Sequence, residues 1–151
     1  SITIKNPVTV KGVSCKVTSI SAKAFTGMKK LTKVTIPKNV KTIGSKAFYK
    51  DSKLKTVKIA STSIKSIGKN AFKGAKAKKV TLGKTIKSIP AGAFKNCKKL
   101  SKLTLKAKVS VKKGAFKGCK KTIKVTAASK SKKAKKAQIK KLKKSGYKKF
   151  K

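Results

Sequence analysis

The chain has no histidine, no glutamate, no arginine and no tryptophan, and Asp51 is its only acidic side chain. These absences remove most catalytic chemistry before any motif is sought. An acid–base pair, a Ser-His-Asp or Cys-His arrangement and a histidine-containing metal site all lack their parts. Gly83-Lys84-Thr85 has no glycine five residues before its own glycine, so it reads as a turn after a strand and not as a phosphate loop. Sequence-specific reading of nucleic acid is disfavoured, because arginine supplies the bidentate base contacts and lysine is a point charge. Three cysteines are too few, and odd in number, to build a fold from disulfides. There is no initiator Met, no charged-then-apolar leader and no apolar run near the length of a membrane span. The expectation is a soluble chain, a mature or excised piece, with no enzyme activity, no cofactor and no transmembrane segment.

What is present is a repeat. Ala-Phe recurs five times, ending at Phe25, Phe48, Phe72, Phe94 and Phe116 in steps of 23, 24, 22 and 22 residues. That period is too short for two packed helices, so each unit can hold only a short strand, a turn and a compact return. Five residues before each Phe stand Ile20, Ile43, Ile67, Ile89 and Val111, and eight before stand Val17, Val40, Ile64 and Ile86, with Val109 out of step. Six residues after Phe come Leu31, Leu54 and Leu100. The pairs Val34/Ile36, Val57/Ile59, Val80/Leu82 and Leu103/Leu105 then alternate as a strand does. The third unit has Lys78 in place of its Leu and is one residue short, which predicts a local irregularity. Gly27, Lys50, Gly74, Asn96 and Gly118 follow each Phe by two residues, which predicts a left-handed step there. Stacking buries a ladder of Phe, Ile, Val and Leu that no unit could bury alone, each large side chain contributing roughly 1.5 to 3 kcal/mol. The predicted fold is a mainly β repeat solenoid of stacked 22–24-residue units, with a short parallel sheet, short helical turns and a C-terminal helix.

The segments Leu31-Thr-Lys-Val-Thr-Ile-Pro-Lys-Asn-Val-Lys-Thr-Ile-Gly-Ser-Lys-Ala-Phe48 and Ile86-Lys-Ser-Ile-Pro-Ala-Gly-Ala-Phe-Lys-Asn-Cys-Lys-Lys-Leu100 carry the whole pattern in order. They resemble the BspA-type leucine-rich repeats of bacterial surface proteins over roughly residues 1 to 127. The resemblance implies a secreted or surface-attached, non-enzymatic binding solenoid, often one module of a longer adhesin, and names no ligand. An extracellular or cell-surface location rests on this resemblance alone.

Charge is the second strong feature: 46 basic residues, all lysine, face one Asp, for a formal net charge of +45. The repeat turns this composition into geometry. With the apolar strand residues inward, Lys33, Lys58, Lys79 and Lys102 share an outward lattice with threonines. A second set follows each Phe: Lys29, Lys30, Lys53, Lys76, Lys98, Lys99, Lys120 and Lys121. Rungs about 4.8 Å apart lie within the ~8 Å Debye length, so neighbouring lysines repel, by up to about 0.9 kcal/mol per pair in bulk water. An anionic polymer along the rows would relieve this repulsion; teichoic acid, nucleic acid backbone and sulfated glycan all qualify. A host or cell-wall protein is a further partner class. The alternative is a structural spacer or filament-forming repeat without a dedicated ligand, self-associating end to end, since Ile2-Thr3-Ile4 opens the chain as a strand without an obvious cap.

Cys97 and Cys119 share a column with Met28, Asp51 and Ala75, three residues after Phe, which favours buried free thiols. In the similar family Cys is frequent at this place without being paired, while neighbouring rungs also suit a disulfide, so pairing is left open. Asp51 is expected to bond a local turn, with a nearby lysine as partner. After Val125 the character changes. Residues 129–151 form a lysine-rich helical tail or cap beyond a solenoid of residues 1–128, with Ser129 or Ser131 as N-cap, a stop at Gly146, and Tyr147 and Phe150 folding back.

Overall fold

The structure is a computed structural model and describes residues 1–4, 7–59, 64–119, 122–126 and 131–151. In chain order the elements are β1 (Ile2–Thr3), β2 (Val8–Val10), β3 (Val13–Cys15), β4 (Ser19–Ile20), β5 (Lys33–Ile36), β6 (Thr42–Ile43), β7 (Thr56–Ile59), β8 (Ser66–Ile67), β9 (Lys79–Leu82), β10 (Ser88–Ile89), β11 (Lys102–Leu105), β12 (Ser110–Val111), β13 (Lys124–Thr126) and α1 (Lys132–Lys143). One strand from each coil joins a parallel sheet in the order β1-β5-β7-β9-β11-β13. Alternation decides which side chains turn inward: Val34, Val57, Val80, Leu103 and Val125 pair directly from strand to strand and are all buried. The short strands before each Phe form two further parallel ladders, β4-β6-β8 and β10-β12. The break between them has a covalent cause. Gly44, Gly68 and Lys112 each donate their N–H to the Ile carbonyl of the coil before, at 2.8, 2.7 and 2.9 Å, and Pro90 at the same place has no N–H to give. Gly44 and Gly68 also allow the close approach, since a Cβ on Gly68 would lie 2.4 Å from the Ser45 backbone nitrogen.

The third side of each coil, around Phe, is held by alternation of a different kind. Phe25, Phe48, Phe72 and Phe94 donate their N–H to the alanine before the next Phe, at 2.7–2.9 Å, while residues between them bond back within their own turn. The predicted left-handed column is present at Gly27, Lys50, Gly74, Asn96 and Gly118, and a second one, two residues before Phe, comprises Lys23, Lys46, Asn70, Gly92 and Gly114. These turns hold the rings in register: neighbouring rings from Phe25 to Phe116 stack at 5.1, 5.1, 5.4 and 5.4 Å.

The expected irregularity in the third unit is confined to its connecting turn, and the sequence alignment there is corrected. Ala77, not Lys78, takes the buried place of Leu31, Leu54 and Leu100. Lys78 is exposed, and β9 keeps full register with both neighbours. The missing residue is removed from the turn, and the small alanine fits the shorter path. Val109 falls in a column that otherwise holds exposed Thr18, Lys41, Lys65 and Lys87, and it is buried because α1 packs over this end. Gln138 on α1 bonds both its peptide groups, donating to the Val109 carbonyl at 2.9 Å and accepting from its N–H at 3.3 Å.

The C-terminal segment closes the stack. Ser131 is the N-cap of α1, its hydroxyl accepting from the Ala134 N–H; Ser129 lies outside the described residues. Gly146 adopts φ 88° soon after the helix ends, the predicted stop. The chain then returns so that Phe150 bridges Ile123 in parallel and meets Phe116 edge-on at 5.2 Å, with Tyr147 edge-on to Phe150. Leu142, Tyr147 and Phe150 are buried.

Candidate polyanion-binding surface

The exterior is cationic because its one possible counter-charge is inside. Asp51 is fully buried, and its Oδ1 accepts from the Met28 N–H of the preceding coil at 2.9 Å. Burial pushes this carboxyl up to about 6 from the ordinary 3.8, against the pull of the Met28 and Gly27 N–H groups. The expected local-turn and lysine partners are corrected: the bond runs to the neighbouring coil, and Oδ2 is buried without a hydrogen-bond partner. The column was chosen by burial, and a carboxyl placed in it can reach only the backbone stacked beneath.

Lys33, Lys58, Lys79 and Lys102 are all exposed on the six-stranded sheet. Register sorts them into two rows. Lys33, Thr56, Lys79, Lys102 and Lys124 follow one another directly, while Lys58 stands in a row otherwise made of Thr3, Thr35, Thr81, Thr104 and Thr126. Lys79, Lys102 and Lys124 are therefore contiguous like charges. Lys124 was not anticipated, although the alternation of buried Ile123 and Val125 around it is the signal of a further strand. Lys29, Lys30, Lys53, Lys76, Lys98 and Lys99 are likewise exposed, but half-buried Ser52 and the shortened third turn interrupt their rows. Lys120 and Lys121 lie outside the described residues.

Two further rows come from offsets that the sequence already holds. Lys41, Lys65 and Lys87, seven residues before their Phe, are exposed on successive coils, with the Lys65 N–H donating to the Lys41 carbonyl at 2.8 Å. Lys73, Lys95 and Lys117 directly follow their Phe, and Thr26 and Tyr49 precede them in the same row. The left-handed residues fix it: Gly27, Lys50, Gly74 and Asn96 donate to the carbonyls of Tyr49, Lys73, Lys95 and Lys117 at 2.8–2.9 Å. The Lys50 and Lys73 ammonium groups each lie 5.4 Å from the centre of the Tyr49 ring.

Cys97 and Cys119 are free and buried, each S–H donating to the Phe carbonyl of the coil before, Phe72 at 3.0 Å and Phe94 at 3.2 Å. Burial pushes the Cys97 thiol well above its ordinary value and Cys119 up to about 12, so both are poor nucleophiles. Among the described residues no three His, Cys or Asp side chains gather as a metal site, and no helix is long and apolar enough to cross a membrane.

Coils of this length, with one in-register parallel strand each and a buried ladder behind it, define a leucine-rich-repeat solenoid. The BspA type leucine rich repeat region matches residues 16–144 in six copies, and the chain belongs to that family. The match runs past the sequence-based limit near residue 127 and takes in α1. Among solved structures, the chain is similar to a leucine-rich repeat protein from Bacteroides ovatus, with 30% identity over 82% of this chain and a TM-score of 0.53. It is also similar to the T. pallidum leucine-rich repeat protein, with 22% identity over 99% of this chain, 84% of that one, and a TM-score of 0.54. A leucine rich cell surface protein from Faecalibacterium prausnitzii matches with 22% identity over 85% of this chain and a TM-score of 0.49. The chain spans 38% of the length of the Bacteroides protein and 48% of the Faecalibacterium protein. A search of curated proteins returns no match. Family and fold suggest a surface repeat module, extracellular or at the cell surface, of a typically non-enzymatic class.

Proposed function

We propose that this chain is a non-catalytic secreted or surface module that binds anionic polymers through its lysine rows, by electrostatics and without reading a sequence. The observation that carries this is the register: lysines on successive coils stand side by side facing solvent, while the only acidic side chain is buried. Teichoic acid, nucleic acid backbone and sulfated glycan meet the requirement, and each would release counterions on binding. A host or cell-wall protein would qualify through an acidic surface. The filament form of the alternative is weaker, because head-to-tail stacking needs two open faces and α1, Tyr147 and Phe150 cover one of them. Titration with each polymer at several salt concentrations tests the proposal. The logarithm of the binding constant should fall linearly with the logarithm of salt, by about 0.7 to 0.9 per phosphate neutralised. A constant that stays level between low and moderate salt would sink it.

A further inference from the structure

The lysine rows are not equivalent. On the sheet face Lys79, Lys102 and Lys124 are contiguous and exposed, where solvent screens them. Beside the Phe ladder the surface turns inward. Lys69, Lys73, Lys95, Lys113 and Lys117 line a groove of about 270 Å³ together with Asn70, over a floor that includes Gly92 and Gly114. Gly92 and Gly114 lie in the second left-handed column, and the place a Gly114 Cβ would take is open. Asn70 reaches over the first of them, its Oδ1 where a Gly92 Cβ would otherwise stand. Among the described lysines only Lys73, Lys95 and Lys135 are half-buried and not exposed, so two of the three lie along this groove. Their stems are already laid on the protein, which lowers the ordering cost of binding, and concave walls of low dielectric focus the field of the ammonium groups.

We propose that this groove, and not the sheet face, is the principal binding track, and that its ligand is a single flexible phosphodiester chain. The inference rests on the polyanion reading above and narrows it. Lys73, Lys95 and Lys117 follow Phe72, Phe94 and Phe116, whose rings stack 5.4 Å apart at each step, so the three lysines stand on successive coils in one row. Each strand of a duplex winds its phosphates around the axis, advancing about 3.4 Å along it per phosphate, so it meets a row along the coils only where it crosses it. A single chain can follow the row, bending between phosphates to match the repeat. Single-stranded nucleic acid and polyglycerol phosphate share this chemistry, since an oxygen, three carbons and an oxygen separate successive phosphorus atoms in both. Tyr49, next to Lys73 in the row, separates the two, because only a nucleic acid has bases to stack on its ring.

Two triple variants of equal charge test the placement: Lys73→Gln with Lys95→Gln and Lys117→Gln in the groove, and Lys79→Gln with Lys102→Gln and Lys124→Gln on the sheet. Both are checked for folding by circular dichroism and titrated with oligothymidylate, polyglycerol phosphate, duplex DNA and heparin across salt. The groove triple should lose about tenfold or more in affinity for the two single-chain probes, and its salt slope should fall by about 2, from three contacts at ~0.7 each. The sheet triple should lose about threefold or less, as expected for exposed, screened charges. Tyr49→Leu should weaken oligothymidylate alone if the source is nucleic acid, and neither probe if it is a wall polymer. Equal losses in the two triples, or a groove triple that weakens duplex DNA or heparin as much as the single chains, would overturn the groove while leaving the salt-dependent reading intact. A wild-type chain whose binding ignores salt would remove both.

Discussion

Asp51 makes the stability of this protein a single-residue titration. The chain has no histidine and no glutamate, so between about pH 4 and pH 7 no other side chain changes charge. In the folded chain the carboxyl is buried and its Oδ2 has no hydrogen-bond partner, and its pKa is raised from 3.8 to about 6. A folded-state value above the unfolded one means that the native state binds the proton more tightly. The resulting stabilisation is complete below about pH 3.8 and is lost as pH rises through about 6. The difference corresponds to about 3 kcal/mol at ~1.36 kcal/mol per unit. Urea unfolding followed by circular dichroism at intervals from pH 4 to pH 7 should show stability falling toward neutrality. Asp51→Asn, which keeps an oxygen for the Met28 N–H, should flatten the curve whatever it does to the absolute stability. A wild-type curve that is level over this interval, or an Asn variant with the same slope, would refute the argument.

Phe72→Ala removes a fully buried ring stacked on both sides, at 5.1 and 5.4 Å, and should cost about 3 to 5 kcal/mol in urea unfolding; a loss below about 1 kcal/mol would mean that the ladder does not hold the coils. Gln138→Ala leaves the buried N–H and C=O of Val109 without their clamp and should cost about 1 to 3 kcal/mol. Amide hydrogen exchange should then accelerate in α1 and at Val109 while the Phe48–Phe94 coils keep their protection, and uniform acceleration would contradict a cap that acts locally.

Most of the fold is legible in the sequence because the repeat samples each structural place five times. The Ala-Phe spacing, the Val/Ile alternation and the glycines after Phe are independent signals that agree. The missed features share one cause: their columns hold residues that do not advertise the backbone they adopt. Lys23, Lys46 and Asn70 are left-handed like Gly92 and Gly114, yet lysine carries no such signature, so the second left-handed column was hidden. Spacing points to Lys78 and not Ala77 because a counted offset cannot tell which residue a shortened turn gives up. For the surface, exposure of the strand lysines followed from alternation alone. The separation of Lys58 from the row of Lys79 and Lys102 required the register of each pair. Lys73, Lys95 and Lys117 lay in plain view one residue after Phe, but Thr26 and Tyr49 precede them, and concavity is a property of neighbouring coils that no single coil encodes.

A wholly cationic exterior is compatible with this fold because the two effects differ in scale. Adjacent lysines in a row repel by up to about 0.9 kcal/mol before screening, whereas each buried Phe, Leu or Ile contributes roughly 1.5 to 3 kcal/mol, and every coil buries several. The core therefore wins coil by coil, and no acidic partner is needed to balance the surface. In the proposed function the repulsion adds to the affinity for a polyanion along the rows, because a bound polyanion would remove the same interactions that salt would screen. The C-terminal segment fits this division. Phe150 and Leu142 extend the apolar ladder past Phe116, while the basic residues of the last helical turn, Lys140, Lys141 and Lys143, keep the outer face charged. The end of the stack is thus built like its middle, apolar inside and lysine outside, and the surface remains cationic from the coils through to the cap.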